Sequence, residues 1–230
     1  MDLPTQVPVM TLPSATLFPQ ALLPLYIFEP RYRKMLADAL QTHRMFTVAM
    51  QDPTRVREKP CLIAGLGLIR VSVDHADGTS HLILQGLTRV ELVDTVQTKP
   101  YRVETIRALQ TPVVDSVVID ALVAKVLELV KQRMEVGPAP FPFPALEPTA
   151  GGGKKKGKAK TSGVASKEIL EYLEKLPGPD QMADLVSCAV LSSPVARQTI
   201  LATVPLEERL KHLIHFLIAE IEHYSKGGKQ

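Results

Sequence analysis

The sequence predicts an α+β chain, a small, twisted, partly closed β-barrel followed by an α-helical bundle. Three observations carry this. About six β-rich segments and one short helix fall within residues 1–110. Beyond them, residues 111–136 and 166–225 show apolar residues recurring at helical spacing. Between those helical parts, residues 137–165 lack any periodic core signal, being first proline-rich and then rich in glycine and lysine. A chain of 230 residues, 45% apolar and 22% charged, is long enough and balanced enough to bury a core.

Each element has a local reason. Val7 to Leu12 is β-rich and bounded by prolines, as an opening or edge strand is. Pro19 and Pro24 then disfavour both a helix and a central strand, so Leu17 to Phe28 reads as an extended arm. At Pro30 the pattern turns helical, with Tyr32, Met35, Leu36 and Ala39 on one face and Glu29 at the positive end. Met45 to Met50 is a strand, and residues 52–60 are a polar loop. Cys61 to Asp74 is a long strand in which Gly65 and Gly67 suggest a bend or bulge. Asp77-Gly78 marks a hairpin into His81 to Gln85, a strand that Gly86 is expected to interrupt before Arg89 to Val93 resumes it. Tyr101 to Leu109 alternates apolar and polar residues as a last strand.

Thr111-Pro112 suits a cap and first turn for a long helix ending near Met134. Its wide apolar face requires a partner. Ser166 is expected to cap the next helix, Pro177-Gly178-Pro179 to stop it, and two shorter helices to cover Asp180 to Leu191 and Pro194 to Ala202. A final helix runs from about Pro205 to Tyr224 with Leu206, Leu210, Leu213, Leu217 and Ile221 on one side. Five helices are therefore expected to pack as one helical half.

Composition narrows the function classes. Five lysines lie within residues 154–160; removing them from the 27 basic residues leaves 22 against 24 acidic, so the net charge of +3 describes a local run. No basic cluster on the remainder suits a nucleic-acid surface. The most apolar helix candidate, Val113 to Met134, contains Asp115, Asp120, Lys125, Glu128 and Lys131, which speaks against a membrane span. The amino terminus lacks a basic patch followed by an apolar core, and Cys61 and Cys188 lie far apart without C-x-x-C partners. These features point to a cytoplasmic chain with free thiols.

The arm, F-P-x-x-x-x-P-L-x-I-x-E-x-x-Y, places Phe18, Pro19, Pro24, Leu25, Ile27, Glu29 and Tyr32, and a later G-x-x-R-hydrophobic segment places Gly86 and Arg89. Together with the opening strand, this pattern resembles the amino-terminal, substrate-binding domain of the ATP-dependent protease Lon. Ala183-Asp184-Leu185 and Arg209-Leu210-Lys211-His212-Leu213 resemble motifs of that family's helical subdomain, whereas Pro205 stands where an acidic cap would be expected. The resemblance covers most of the chain outside residues 137–165. It implies a PUA-like pseudo-barrel followed by a helical subdomain, in a free-standing relative without the ATPase and peptidase domains. It further implies a non-enzymatic module that recognises unfolded or hydrophobic polypeptide segments, without cofactor or membrane partner. The alternative is a PUA-like RNA-associated protein, with nucleic acid held only non-specifically through the lysine-rich insertion.

The residues offer little catalytic chemistry. Gly152 to Lys158 satisfies G-x-x-x-x-G-K, but Ala159 replaces the hydroxyl that would hold magnesium, and the run comes after a proline tract instead of a strand. Glu208, His212 and His215 share a helix, yet lack a further ligand and read as a solvated face rather than a metal site. No nucleophile with a positioned base stands out. Glu29 and Arg89 lie in apolar sequence surroundings and are expected to form a structural charged pair, with a ligand-carboxylate site at Arg89 as the alternative. The candidate polypeptide-binding residues are Phe18, Leu22, Leu23, Tyr26 and Phe28. They are too many to turn inward from one extended arm, so some should form an exposed patch, although burial is expected for most.

Overall fold

The structure, a computed structural model, describes residues 3–55, 58–111, 116–137 and 162–227. It separates into two compact units, one comprising Met1–Pro112 with Ser193–Val204 and the other Val113–Ser192 with Pro205–Gln230.

In the first unit, β1 (Gln6–Leu12), β2 (Leu22–Ile27), helix α1 (Pro30–Leu40), β3 (Met45–Met50), β4 (Ile63–Asp74), β5 (Ser80–Gln97) and β6 (Arg102–Leu109) succeed one another in chain order. The sheet order is β2-β5-β4-β3-β1-β6, and a further β5–β6 pairing joins its far end back to β5. Only β1 and β3 are parallel; the other pairs are antiparallel. The length of β5 makes this closure possible. Its first half lies between β2 and β4, and its second half, from Arg89 on, lies between β4 and β6. Five strands thus form a ring, and β2 is left outside it as an edge.

Gly86 does not interrupt β5. It stands where the arm crosses the sheet, because a Cβ there would lie 1.9 Å from the Phe18 carbonyl oxygen, as one at Gly65 would lie 2.0 Å from that of Leu17. The glycines admit a backbone instead of ending a strand. A register shift falls between Leu66 and Gly67, but its extra residue, Leu87, is on β5; on β4 itself the extra residue is Arg70, between Ile69 and Val71, not at the Gly65/Gly67 pair. The turn after β4 is held by Asp77, which accepts from the backbone N–H of Thr79 at 2.9 Å, with Gly78 at φ 77°.

The unit has two apolar clusters. Met10, Leu17, Ile27, Met35, Leu36, Phe46, Val48 and Leu84 belong to one, with α1 packed into it; Val7, Val9, Met45, Ala49, Ala64, Leu66 and Val90 belong to the other. Alternate residues of β3 serve the two clusters, so that strand is buried throughout. Tyr32 anchors α1 to β1, donating to the Thr11 carbonyl at 3.0 Å and accepting from the Thr11 N–H at 3.2 Å. Burial pushes its hydroxyl up to about 12.

Helix α5 (Pro194–Ala202), capped by Ser193, groups with this unit. This corrects the expectation of five helices in one half. Gln198 donates to the Ile63 carbonyl at 2.8 Å, Arg197 to that of Ser14 at 3.3 Å, and Arg89 Nε to that of Leu201 at 3.0 Å. Cations at the carbonyl end of a helix are well placed against its dipole.

The second unit holds α2 (Val117–Val136), α3 (Ser162–Glu174), α4 (Pro179–Val190) and α6 (Leu206–Gly227), with α2 packed along α6. Residues 112–115 lie outside the described residues, and the cap of α2 is Ser116, whose hydroxyl accepts from the Ile119 N–H, rather than Thr111-Pro112. Helix α3 begins before Ser166, which is therefore not its cap. The Pro205 carbonyl accepts from the Arg209 N–H at 3.0 Å, so proline serves at the start of α6 without losing a needed donor. The two family-like helical motifs meet here: Arg209, fully buried, pairs with Asp184 at 3.4 Å. Arg133 lies 3.6 Å over the ring of Tyr224.

Among the described residues no helix is long and apolar enough to cross a membrane, and the uncharged run from Leu3 to Phe28 forms strands and loop.

Candidate functional site

The ring leaves one strand partnered on one side only, and that strand carries most of the exposed apolar surface of the arm. β2 pairs antiparallel with β5, placing Leu22 opposite Gln85, Pro24 opposite Ile83 and Tyr26 opposite His81. Just before β2, the Gly86 N–H donates to the Ala21 carbonyl at 2.9 Å. Hydrogen-bonded pairs alternate along an antiparallel ladder, so Leu23, Leu25 and Ile27 turn their backbone groups toward β5. Leu22, Pro24 and Tyr26 turn theirs toward the open edge. Pro24 therefore lacks an N–H at a position where none is needed by the sheet.

The same three side chains stand on the exposed face. Leu22 is 54% exposed, Tyr26 49% and, just beyond the strand, Phe28 58%. β4 extends the face with Val71 opposite Ile83 and Val73 opposite His81, and Val71, Val73 and Ile83 are exposed as well. The rows Pro24–Ile83–Val71 and Tyr26–His81–Val73 thus form a continuous apolar strip across three strands. An open depression of about 410 Å³ lies on it, lined by Pro24, Tyr26, Val71, Val73, His81 and Ile83.

Polar groups close both ends of the strip. At one, Arg70 donates to Gln85, which donates in turn to Gln20 at 3.4 Å. At the other, Phe28 stacks on Tyr26 with centroids 5.8 Å apart, Tyr26 on His81 at 4.7 Å, and His75 meets His81 edge-on at 4.9 Å. Nε2 of His75 and Nδ1 of His81 are 2.6 Å apart, a hydrogen bond between two imidazoles.

The five arm residues thus divide. Leu22, Tyr26 and Phe28 are exposed, Leu23 is half-buried, and Phe18 is fully buried beneath the arm's crossing over Gly86. Burial of most of them was expected; the edge position of β2, covered on one face only, leaves Leu22, Tyr26 and, just beyond it, Phe28 in solvent. Val71, Val73, Ile83 and His81 were missed, because alternating apolar residues in a strand read as core on either face.

Glu29 and Arg89 are not brought together. Glu29 is half-exposed and pairs with Arg31 at 2.9 Å, while Arg89 is buried, lies 5.9 Å over the Phe18 ring and holds the carbonyl end of α5. Apolar neighbours in sequence do not bury a carboxylate that sits at a helix start. On α6, Lys211 pairs with Glu207 at 2.8 Å and Glu208 at 3.0 Å. Among the described residues no group of three or more His, Cys, Asp and Glu converges as metal ligands. The segment resembling a P-loop lies outside the described residues.

Six strands, mostly closed into a ring, and six helices among the described residues define an α+β chain built on a β-platform with an apolar edge. Its fold matches two solved Lon amino-terminal domains. That of the Mycobacterium avium complex superposes with a TM-score of 0.67 at 17% identity, over 93% of this chain and 98% of that one. That of Xanthomonas campestris gives 0.60 at 17%, over 92% and 98%. Residues 6–219 match the family model of the ATP-dependent protease La (LON) substrate-binding domain, and the chain belongs to that family. Lon protease of Dictyoglomus thermophilum is 24% identical over 226 residues, 96% of this chain and 25% of that protein. Lon protease of Anaeromyxobacter dehalogenans is 26% identical over 221 residues, 94% and 23% respectively. The chain spans about a quarter of the length of these curated relatives.

Proposed function

We propose that this chain is a non-catalytic recognition module that captures extended, apolar polypeptide segments on the strip formed by β2, β5 and β4. The single observation that carries the reading is the alignment, on one edge strand, of outward backbone groups with exposed Leu22 and Tyr26. An unfolded segment lying along this edge would bond to the backbone of Leu22 and Tyr26 and set alternate side chains against the strip. Solvent-exposed apolar surface that a folded chain retains in a contiguous patch marks an interaction site. The family's description as a substrate-binding domain supports the same class of partner.

The test is titration of a capped fluorescent peptide of alternating leucine and threonine, monitored by anisotropy. The double substitution Tyr26→Ser with Phe28→Ser is expected to weaken binding by at least about tenfold, the loss of two aromatic contacts. Val117→Ser, an exposed apolar position on α2, is expected to leave binding unchanged. Equal affinity for the double variant and the unsubstituted chain overturns the reading.

A further inference from the structure

We propose that His75 and His81 make occupation of the apolar strip sensitive to protons, so that an apolar polypeptide held near neutral pH is released under mildly acidic conditions. The inference rests on the reading of the strip as a polypeptide site and adds its regulation.

His81 has two roles in the geometry. Its ring lines the depression and stacks on Tyr26, while its Nδ1 meets Nε2 of His75 at 2.6 Å. One of these nitrogens must donate and the other accept, so the contact accommodates a neutral pair, or a pair carrying one extra proton on an outward nitrogen. A second extra proton leaves both nitrogens as donors. The hydrogen bond is then lost, and two positive rings face each other at van der Waals distance or less. Imidazole is the side chain whose ordinary titration lies nearest neutral pH.

The charged neighbours act in both directions on that repulsion. From the turn, Asp77 is engaged by the backbone and hydroxyl of Thr79, and Asp74 accepts from Ser80 Oγ at 2.7 Å. From α1, the Arg33 guanidinium lies against Gly78 at the turn's tip and adds positive charge. From β2, Tyr26 presents an aromatic face that favours His81 in place. Neutral donors leave both carboxylates charged, and Asp77, held below the usual carboxylate range chiefly by the Thr79 hydroxyl and N–H and to a lesser degree by His75, offsets part of the repulsion; separation of the rings relieves the remainder. Movement of His81 off Tyr26 removes one wall of the depression and puts two charges where an apolar side chain would lie. Desolvating those charges opposes binding.

The experiment uses the full chain and the same capped leucine–threonine peptide, which has no titrating side chain, at about pH 7.5 and about pH 5.5. The dissociation constant is expected to rise at least about fivefold at the lower pH. In His75→Asn and His81→Phe, each lacking the second imidazole, the ratio between the two pH values is expected to fall by at least about half. An unchanged ratio in both variants, or a ratio near one in the unsubstituted chain, overturns the proposal. Absence of binding even at the higher pH refutes the polypeptide reading instead. In that case NMR titration of the imidazole Cε1 protons still decides the coupling: a two-step curve for His81 that becomes one-step in His75→Asn supports the proton-linked pair, and the same one-step curve in both refutes it.

Discussion

β2 and β3 are both six-residue, mainly apolar strands of one sheet, yet they meet opposite fates. β3 lies between β4 and β1, and every one of its residues is buried. β2 has only β5 beside it, and Leu22, Pro24 and Tyr26 stand in solvent. Hydrophobicity is therefore a poor guide to burial here, and position in the sheet decides. The ring leaves β2 paired on one side along its whole length, so its outward backbone groups stand beside exposed Leu22, Pro24 and Tyr26, and exposed Val71, Val73 and Ile83 of the ring strands continue the same face.

The comparison breaks most directly under truncation. Phe46→Ala, in β3, is expected to cost about 3–5 kcal/mol of unfolding free energy in a denaturant titration, since it empties part of a closed cluster. Tyr26→Ser in β2 is expected to change stability by under about 1 kcal/mol, because half of that side chain is already in water. Similar losses at the two sites would show that β2 is covered in solution.

Of intermediate size is Arg89→Ala, expected to cost about 2 kcal/mol by the same measurement, because the α5 carbonyl at Leu201 loses a buried charged donor. Unchanged stability would mean that α5 does not depend on this contact.

The smallest effect sharpens the buried side of the comparison. Tyr32 and Tyr101 both have hydroxyls pushed up to about 12, in each case chiefly by burial, from an ordinary value of 10.0. Folded phenols that keep their protons longer than unfolded ones contribute stability that is complete below pH 10. That contribution is lost as pH rises from about 10 through about 12. Tyr32→Phe is expected to flatten this decline while costing about 1 kcal/mol at neutral pH through the lost Thr11 contacts. A decline of unchanged steepness would show that the Tyr32 hydroxyl does not contribute to it.

Much of the β-platform was legible in the sequence because its signals are local. Pro19 and Pro24 marked an extended arm and Asp77-Gly78 a turn; both signals act within a few residues. What was not legible depends on distant groups. Gly86 looks like a strand breaker until Phe18 is seen to cross it. Helix α5 carries the same periodic signal as its neighbours, and only distant bonds, from Arg89 112 residues before Leu201 and to the Ile63 and Ser14 carbonyls, tie it to the sheet unit. The candidate site was half legible. Leu22, Tyr26 and Phe28 could be proposed from the crowding of apolar residues on one arm, whereas Val71, Val73 and Ile83 join them only through the β4–β5 register. The imidazole pair closes across a turn, and the six-residue spacing of His75 and His81 announces it only once the hairpin is formed.

Whether the excluded strand is the contact surface is decided by NMR mapping of the chain during titration with the capped leucine–threonine peptide. Perturbations are expected to concentrate on Leu22, Tyr26, Val71, Val73, His81 and Ile83, with β3 unaffected. Perturbations confined to α2 and α6, or spread without preference for β2, would contradict a binding edge at β2.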